Sequence, residues 1–282
     1  MEAVSLKNVS YQYPLESEKV VKNLTFSIEK GKAYGLIGEN EAGKTTVCNI
    51  IRGFIPQLYR GILEGEIWIN GKEIQTYDPG ELATVIGYSF QNPFTQISGV
   101  KETVYEELAY GMENIGIPRE NMIQKVEELV RLFHLEKLVD KNPYELSGGQ
   151  KQRVALASMI ALDPDIVILD EPTSQLDPKS TEEVFEIVRM LKKQGKTIIL
   201  VEHKIDLVAE YCDQILLMSH GQIAMQGTAQ EVLTNPEILK YGGQLPQVVY
   251  YFLERKKITE NDEKIPLTIQ EAYKILSSGG RA

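Results

Sequence analysis

The chain is poor in several things that would each have pointed to a different protein. It has two cysteines in 282 residues, Cys48 and Cys212. They are far apart and form no CxxC, which excludes a disulfide framework and zinc-ligand spacing. No run of about 18 apolar residues occurs, so no segment is long enough to cross a bilayer as a helix. The apolar runs at 166–169 and 197–201 are of buried-strand length. Residues 1–10, MEAVSLKNVS, lack the basic start and apolar centre of a secretory signal, and a reducing, cytoplasmic setting is the expectation. Positive charge is also short: 30 Lys and Arg against 40 Asp and Glu leave a net charge of −10. Such a surface repels phosphate backbones and argues against a nucleic-acid partner.

What is present reads as an α/β chain. Residues 1–30 are strand-like, with Leu24, Phe26 and Ile28 in strict alternation. Residues 33–37 form a short apolar run that ends in a Gly-rich turn, and 63–70 form a strand closed by the Asn70–Gly71 hairpin signal. Residues 85–90 are again strand-like. The texture then becomes helical over 103–111 and 119–133, where Met122, Val126, Leu129, Val130 and Phe133 share one face. Alternation resumes with a strand at 166–170, a helix at 181–194 and a strand at 197–202, the order of a mostly parallel sheet. Residues 238–282 are a charged, mixed tail without a site motif.

Gly38-Glu-Asn-Glu-Ala-Gly43-Lys44-Thr45 fits G-x-x-x-x-G-K-[ST] between an expected strand and a helix at 45–51. This loop, with Asn40, Glu41, Ala42 and Thr46, is expected to turn backbone amides onto phosphate oxygens at a helix N-terminus. Lys44 then reaches the β- and γ-phosphates of ATP, and the Thr45 hydroxyl ligates Mg²⁺. The strand at 166–170 delivers Asp170 and Glu171 to its C-terminal end, where open α/β sheets bind ligands. Asp170 is expected to hold the metal and Glu171 to polarise the attacking water. Leu146-Ser147-Gly148-Gly149-Gln150 precedes a helix-forming run at 151–161 and reads as a second anion cradle. One nucleotide does not need two cradles from one chain, so two chains clamping a shared ATP are expected.

Here the sequence resembles the ABC ATPase family, whose signature is LSGGQ. The resemblance covers about residues 1–235 and implies a P-loop core with an antiparallel β subdomain and a helical subdomain. It implies an ATPase domain over 1–237, with the helical part inserted at about 93–159, and an extension over 238–282. It also implies that Tyr13 stacks on adenine, with Tyr11 the competitor, and that Gln91 touches Mg²⁺ and a membrane partner. Asp177 is implied to contact the opposite subunit, unless it is simply a helix cap before Pro178, and His203 to reach the γ-phosphate. Catalysis thus falls to Glu171, His203, Gln91 and Lys44, and metal binding to Thr45, Gln91 and Asp170. Two residues depart from the family pattern, Glu41 where Gly or Ser is usual and Gln175 where Ala is common.

The run from Phe90 to Ile97 and that from Thr103 to Pro118 look like the ATPase subunits of energy-coupling factor transporters, importers of vitamins and transition-metal ions. That resemblance implies a second ATPase subunit, identical or similar, a transmembrane coupling protein and a substrate-binding membrane protein, with this chain peripheral on the cytoplasmic face. The alternatives are another ABC importer class or a non-transport ABC ATPase. Repair and chromosome-structuring ABC ATPases carry zinc cysteines or a long coiled-coil insertion, and neither is present. Ribosome-acting members carry two units per chain and basic surfaces.

Overall fold

The computed structural model of the chain describes residues 1–259 and 265–279. Among the described residues, ten strands form two sheets. β1 (Glu2–Gln12), β2 (Val21–Glu29), β4 (Ile62–Ile69) and β5 (Lys72–Glu73) make an antiparallel sheet in the order β2-β1-β4-β5. β3 (Ala33–Gly38), β6 (Ile86–Ser89), β7 (Ile166–Asp170), β8 (Thr197–Val201), β9 (Gln214–Ser219) and β10 (Gln222–Thr228) make the central sheet. Its order is β10-β9-β3-β8-β7-β6, parallel except for the antiparallel edge strand β10.

The hairpin read from Asn70–Gly71 joins β4 to β5, with φ of 50° and 79° at its two residues. Positive φ at both central positions is what Asn-Gly supplies at little steric cost.

Eleven α-helices complete the described residues. α1 (Lys44–Ile51), α2 (Phe54–Gln57) and α3 (Pro79–Val85) lie among the strands of the first third. α4 (Val104–Asn114), α5 (Arg119–Leu132) and α6 (Gly148–Ile160) form the helical block. α7 (Pro178–Lys193), α8 (Ile205–Tyr211), α9 (Ala229–Leu233), α10 (Gln247–Thr259) and α11 (Ile269–Gly279) follow. α6 begins at Gly148, three residues before the run expected from propensity, because Ser147 and Gln150 form a capping box at its start. The strand expected from Val85 begins at Ile86, since Val85 closes α3, whose N-cap Asp78 and following Pro79 start it.

The central strands are apolar on both faces because each face meets its own core. On β7, Ile166 and Ile168 join one buried cluster while Val167 and Leu169 join the other. On β8, Ile199 and Val201 face the first cluster, Ile198 and Leu200 the second. The first cluster lies against the antiparallel sheet and α1, through Leu6, Leu24, Phe26, Val47 and Ile50. The second takes in the helical block, where the expected face of α5 is realised: Val126, Leu129 and Phe133 are buried, with Met122 and Val130 packed against them. Gly35 on β3 is small for α8, since a Cβ there would lie 2.7 Å from Val208 Cγ1.

The tail is part of this fold. Leu245 and Leu267 pack on the second cluster, and Val249 and Phe252 of α10 are buried. Asp206 of α8 accepts a bond at 3.0 Å from the backbone N–H of Gln247, at the start of α10.

Two consequences can be measured by chemical denaturation. Leu108 of α4 is fully buried in the second cluster, so Leu108→Ala should lower stability by about 2–5 kcal/mol. The two signature glycines should behave differently. A Cβ on Gly149 would sit 2.4 Å from Ser180 Oγ and 2.9 Å from its Cβ, whereas one on Gly148 meets nothing within 4 Å. Gly149→Ala should cost about 1–3 kcal/mol; Gly148→Ala should be neutral or stabilise by up to about 1 kcal/mol. Equal effects would place the packing constraint elsewhere.

Candidate functional site

β3 lies between β8 and β9, and its C-terminal end opens the loop from Gly38 to Thr45. The loop backbone is left-handed at Glu41 (φ 65°) and Gly43 (φ 100°), and Gly38 has φ 144°. A Cβ on Gly38 would lie 2.2 Å from the Met218 carbonyl oxygen, so the close approach of β3 to β9 requires glycine. α1 starts from Gly43 without any side-chain cap. Its first amides are therefore left for another acceptor, the arrangement that suits a phosphate. Asn40, Glu41 and Thr45 are exposed, while Ala42, Lys44 and Thr46 are buried. Glu41, the departure from the family pattern, is therefore as open as the loop residues Asn40 and Thr45.

Lys44 is 6% exposed, and its Nζ donates to the carbonyl oxygens of Gly38 at 2.9 Å and Glu39 at 2.7 Å. Burial pulls its pKa below the usual lysine value, with Glu171 and Asp170 opposing that shift. Asp170 ends β7 and is buried; burial raises its pKa, while hydrogen bonds from Tyr88 and Thr45 favour the charged form. The Tyr88 hydroxyl donates to Asp170 Oδ2 at 2.6 Å.

Glu171 sits at the junction of three segments. It has φ 48°, a sparsely populated conformation for a non-glycine residue, and its N–H donates to Val201 O on β8 at 2.9 Å. Gln91 Nε2 donates to Glu171 Oε2 at 2.5 Å, and His203 Nε2 lies 2.9 Å from Glu171 Oε1. The three residues expected from separate strand ends thus meet in one hydrogen-bonded group. His203 is held in turn by buried Glu202, whose Oε1 accepts from His203 N at 2.9 Å and Lys204 N at 3.2 Å. Its Oε2 accepts from Thr173 Oγ1 at 2.7 Å.

The aromatic candidates separate. Tyr11 is fully buried, its hydroxyl donating to Tyr59 O and Arg60 O, so its ring is core. Tyr13 is partly exposed and shares a 3.2 Å hydrogen bond with Thr46 Oγ1, which places it at the start of α1.

The second cradle differs from the first. Ser147 Oγ accepts from Gln150 N at 3.5 Å, and Ser147 N donates to Gln150 Oε1 at 3.1 Å. The hydrogen bonds of this segment stay within it, away from the loop at 38–45. Asp177 caps α7, its carboxylate accepting from Lys179 N, Ser180 N and Ser180 Oγ, which lowers its pKa. The cap before Pro178 is therefore what the Asp177 carboxylate makes here.

Oxygen groups dominate around Asp170: its own carboxylate, the Tyr88 hydroxyl that donates to it and the Thr45 hydroxyl that favours its charged form. Among the described residues no group of three or more His, Cys, Asp or Glu could hold a metal. A hard cation that keeps water and phosphate oxygens as its other ligands, Mg²⁺, fits that donor set.

Sequence reasoning missed Tyr88, Arg52, Glu202 and Gln96. Gln96 accepts from Phe90 N at 3.2 Å and donates to Ala155 O at 3.0 Å, tying the loop that carries Gln91 to α6. No local pattern marks these residues, since each acts through a partner distant in sequence.

Known proteins resemble this chain in sequence and in fold. The family model described as ABC transporter matches residues 21–174. The energy-coupling factor transporter ATP-binding protein EcfA2 of Acetivibrio thermocellus is 38% identical over 283 residues, 98% of this chain and 98% of its own length. The structure of cbiO1 from Clostridium perfringens, part of the ABC transporter complex cbiONQ, superposes with a TM-score of 0.75. It is 28% identical and covers 92% of this chain and 99% of its own. An ATP-binding cassette solved as a dimer in a post-hydrolysis state with ADP and Pi has a TM-score of 0.68 and 28% identity, covering 80% of this chain and 98% of its own. With its α/β P-loop core, this chain belongs to the ABC transporter ATP-binding family, whose members are ATPases coupled to transport.

Proposed function

We propose that this chain powers an energy-coupling factor importer of a vitamin or transition-metal ion, as one of two ATPase subunits, a copy or a close relative, under a transmembrane coupling protein and a membrane substrate-binding protein. The observation that carries this reading is that similarity to the Acetivibrio thermocellus subunit runs through the tail as well as the core. No described helix is long and apolar enough to cross a membrane, so attachment to the cytoplasmic face is through partners.

ATP would lie on the loop at 38–45, its phosphates on the uncapped N-terminus of α1 and its adenine beside Tyr13. The donors of Lys44 would turn from the Gly38 and Glu39 carbonyls to β- and γ-phosphate oxygens. Thr45, Asp170 and Gln91 would hold Mg²⁺, which neutralises charge on the phosphates. Glu171, oriented by Gln91 and His203, would accept a hydrogen bond from the attacking water. His203 is 41% exposed at its side chain and can turn towards the γ-phosphate. Ser147–Gln150 and Asp177 would face the nucleotide or backbone of the second subunit; the open space beside Gly148 supports an approach from outside.

The membrane partner would dock beside the Gln91 loop and α4. Phe94 there is 49% exposed, with Lys151 Nζ 4.0 Å from its ring centroid. A neighbouring groove between α4 and α5 is lined by Tyr105, Met122, Ile123 and Val126, with Lys101 and Arg119 also on its wall. An apolar floor flanked by charges suits an amphipathic helix.

Glu171→Gln should keep nucleotide affinity while ATP turnover falls roughly 10²–10⁴-fold, since an amide polarises water poorly. Equilibrium nucleotide binding with a phosphate-release assay checks it, and normal turnover would remove Glu171 from its assigned role. Ser147→Arg should leave ATP affinity of the isolated subunit intact and stop hydrolysis by the dimer. Matching losses of binding and turnover would mean that the signature acts within its own subunit.

A further inference from the structure

Asp170 is the carboxylate assigned to the metal, and the residue that holds its orientation lies on the neighbouring strand. β6 runs parallel to β7 with Tyr88 paired to Ile168, two positions before Asp170. From there the phenol hydroxyl reaches Asp170 Oδ2 at 2.6 Å. The ring itself is fixed. The Arg52 guanidinium carbon lies 3.6 Å from the Tyr88 ring centroid and 3.7 Å from that of Phe54, and Phe90 meets Tyr88 edge-on at 5.0 Å. Arg52 is in turn pinned, its Nε donating to Asn49 Oδ1 at 3.0 Å within α1. A clamp therefore runs from the helix that opens at the phosphate loop, through a buried cation and an aromatic ring, to one oxygen of Asp170.

That connection has a chemical consequence. A carboxylate next to a divalent ion can rotate, bind through either oxygen or turn away. When one oxygen accepts a short bond from a neutral hydroxyl, the group is fixed and still carries its negative charge. A cationic donor in the same place would compete with the metal; a phenol does not. The Thr45 hydroxyl, another candidate ligand, also favours the charged form of Asp170.

We propose that Tyr88, braced by Arg52, is a positioning residue for the divalent cation of the ATP site: by occupying Asp170 Oδ2 it presents the carboxylate to a metal held beside Thr45. This rests on the reading of Asp170 as the metal carboxylate. Tyr88 does not touch the nucleotide and needs no proton transfer to act. Outer partners that fix a ligating carboxylate typically contribute about 10- to 100-fold to metal affinity.

Tyr88→Phe tests this, because it keeps the ring and its stack on Arg52 and removes only the hydroxyl. Two measurements on the full chain are needed: binding of a fluorescent ATP analogue in EDTA, and Mn²⁺ binding to the ATP-loaded protein followed by electron paramagnetic resonance. The expected result is unchanged metal-free nucleotide affinity, Mn²⁺ affinity about 10-fold weaker and an altered bound-Mn²⁺ spectrum. Wild-type Mn²⁺ affinity and spectrum in Tyr88→Phe would overturn the proposal. Equal losses with and without metal would do so too, since the hydroxyl would then be supporting the whole loop. Asp170→Asn, measured in parallel, separates the two levels. If it binds Mn²⁺ normally, the metal assignment of Asp170 is wrong and the proposal falls with it. If it loses Mn²⁺ while Tyr88→Phe does not, only the role of Tyr88 is refuted.

Discussion

Charged groups have to be taken out of water at the edge of the central sheet and still remain charged. Lys44 and Asp170 are both buried there, with Glu171 next in the chain. Desolvation works against each of them, pulling Lys44 down in pKa and pushing Asp170 up. Their persistence as ions depends on partners that the fold supplies. Lys44 has two carbonyl acceptors from the turn that precedes it, and Asp170 has hydroxyls from Tyr88 and Thr45. The parallel sheet provides the platform. Its strands end together, so side chains from β3, β6, β7 and β8 converge without any of them lying near another in sequence.

The same convergence links the site to the rest of the molecule. Gln91 follows β6, Glu171 follows β7 and His203 follows β8, and the three meet at the Glu171 carboxylate. Each is anchored to a different structural unit. The Gln91 loop is tied to α6 through Gln96, and His203 to the loop after β7 through Glu202 and Thr173. α8, which follows His203, caps the first helix of the tail through Asp206. Hydrogen bonds thus join the residues around Glu171 to the helical block and join α8 to the tail.

Two helix N-termini that look alike in sequence are put to different uses. α1 leaves its first turn uncapped and its loop in left-handed conformations, so donors remain for a bound anion. α6 satisfies part of its own first turn with Ser147 and Gln150, and Gly149 lets α7 approach through Ser180. Of the two signature glycines, only Gly148 faces open space. Exposure of that position is what a surface shared with a second subunit requires.

Much of this was legible from sequence alone, and for local reasons. A phosphate loop needs its glycines, lysine and hydroxyl at fixed spacing between a strand and a helix, so Gly38–Thr45 declares itself. Asp170 and Glu171 announce themselves because an apolar strand ends in two acids. The Asn70–Gly71 hairpin and the buried face of α5 follow from turn chemistry and helical period in the same way. Residues whose role is exerted through a distant partner were not legible. Tyr88 reads as one more strand aromatic until β6 is laid beside β7; Arg52 reads as a solvated helix end until Phe54, Tyr88 and Phe90 enclose it. The strand β9 was missed because a short apolar segment has no period that separates strand from helix. Sequence already favours Tyr13 over Tyr11, and burial makes the Tyr11 ring part of the core. Sequence by itself determined which chemical groups are candidates for the ATP site, since those depend on local spacing. Only the tertiary structure decided which groups orient them, because orientation is set by neighbours that the chain brings together across the sheet.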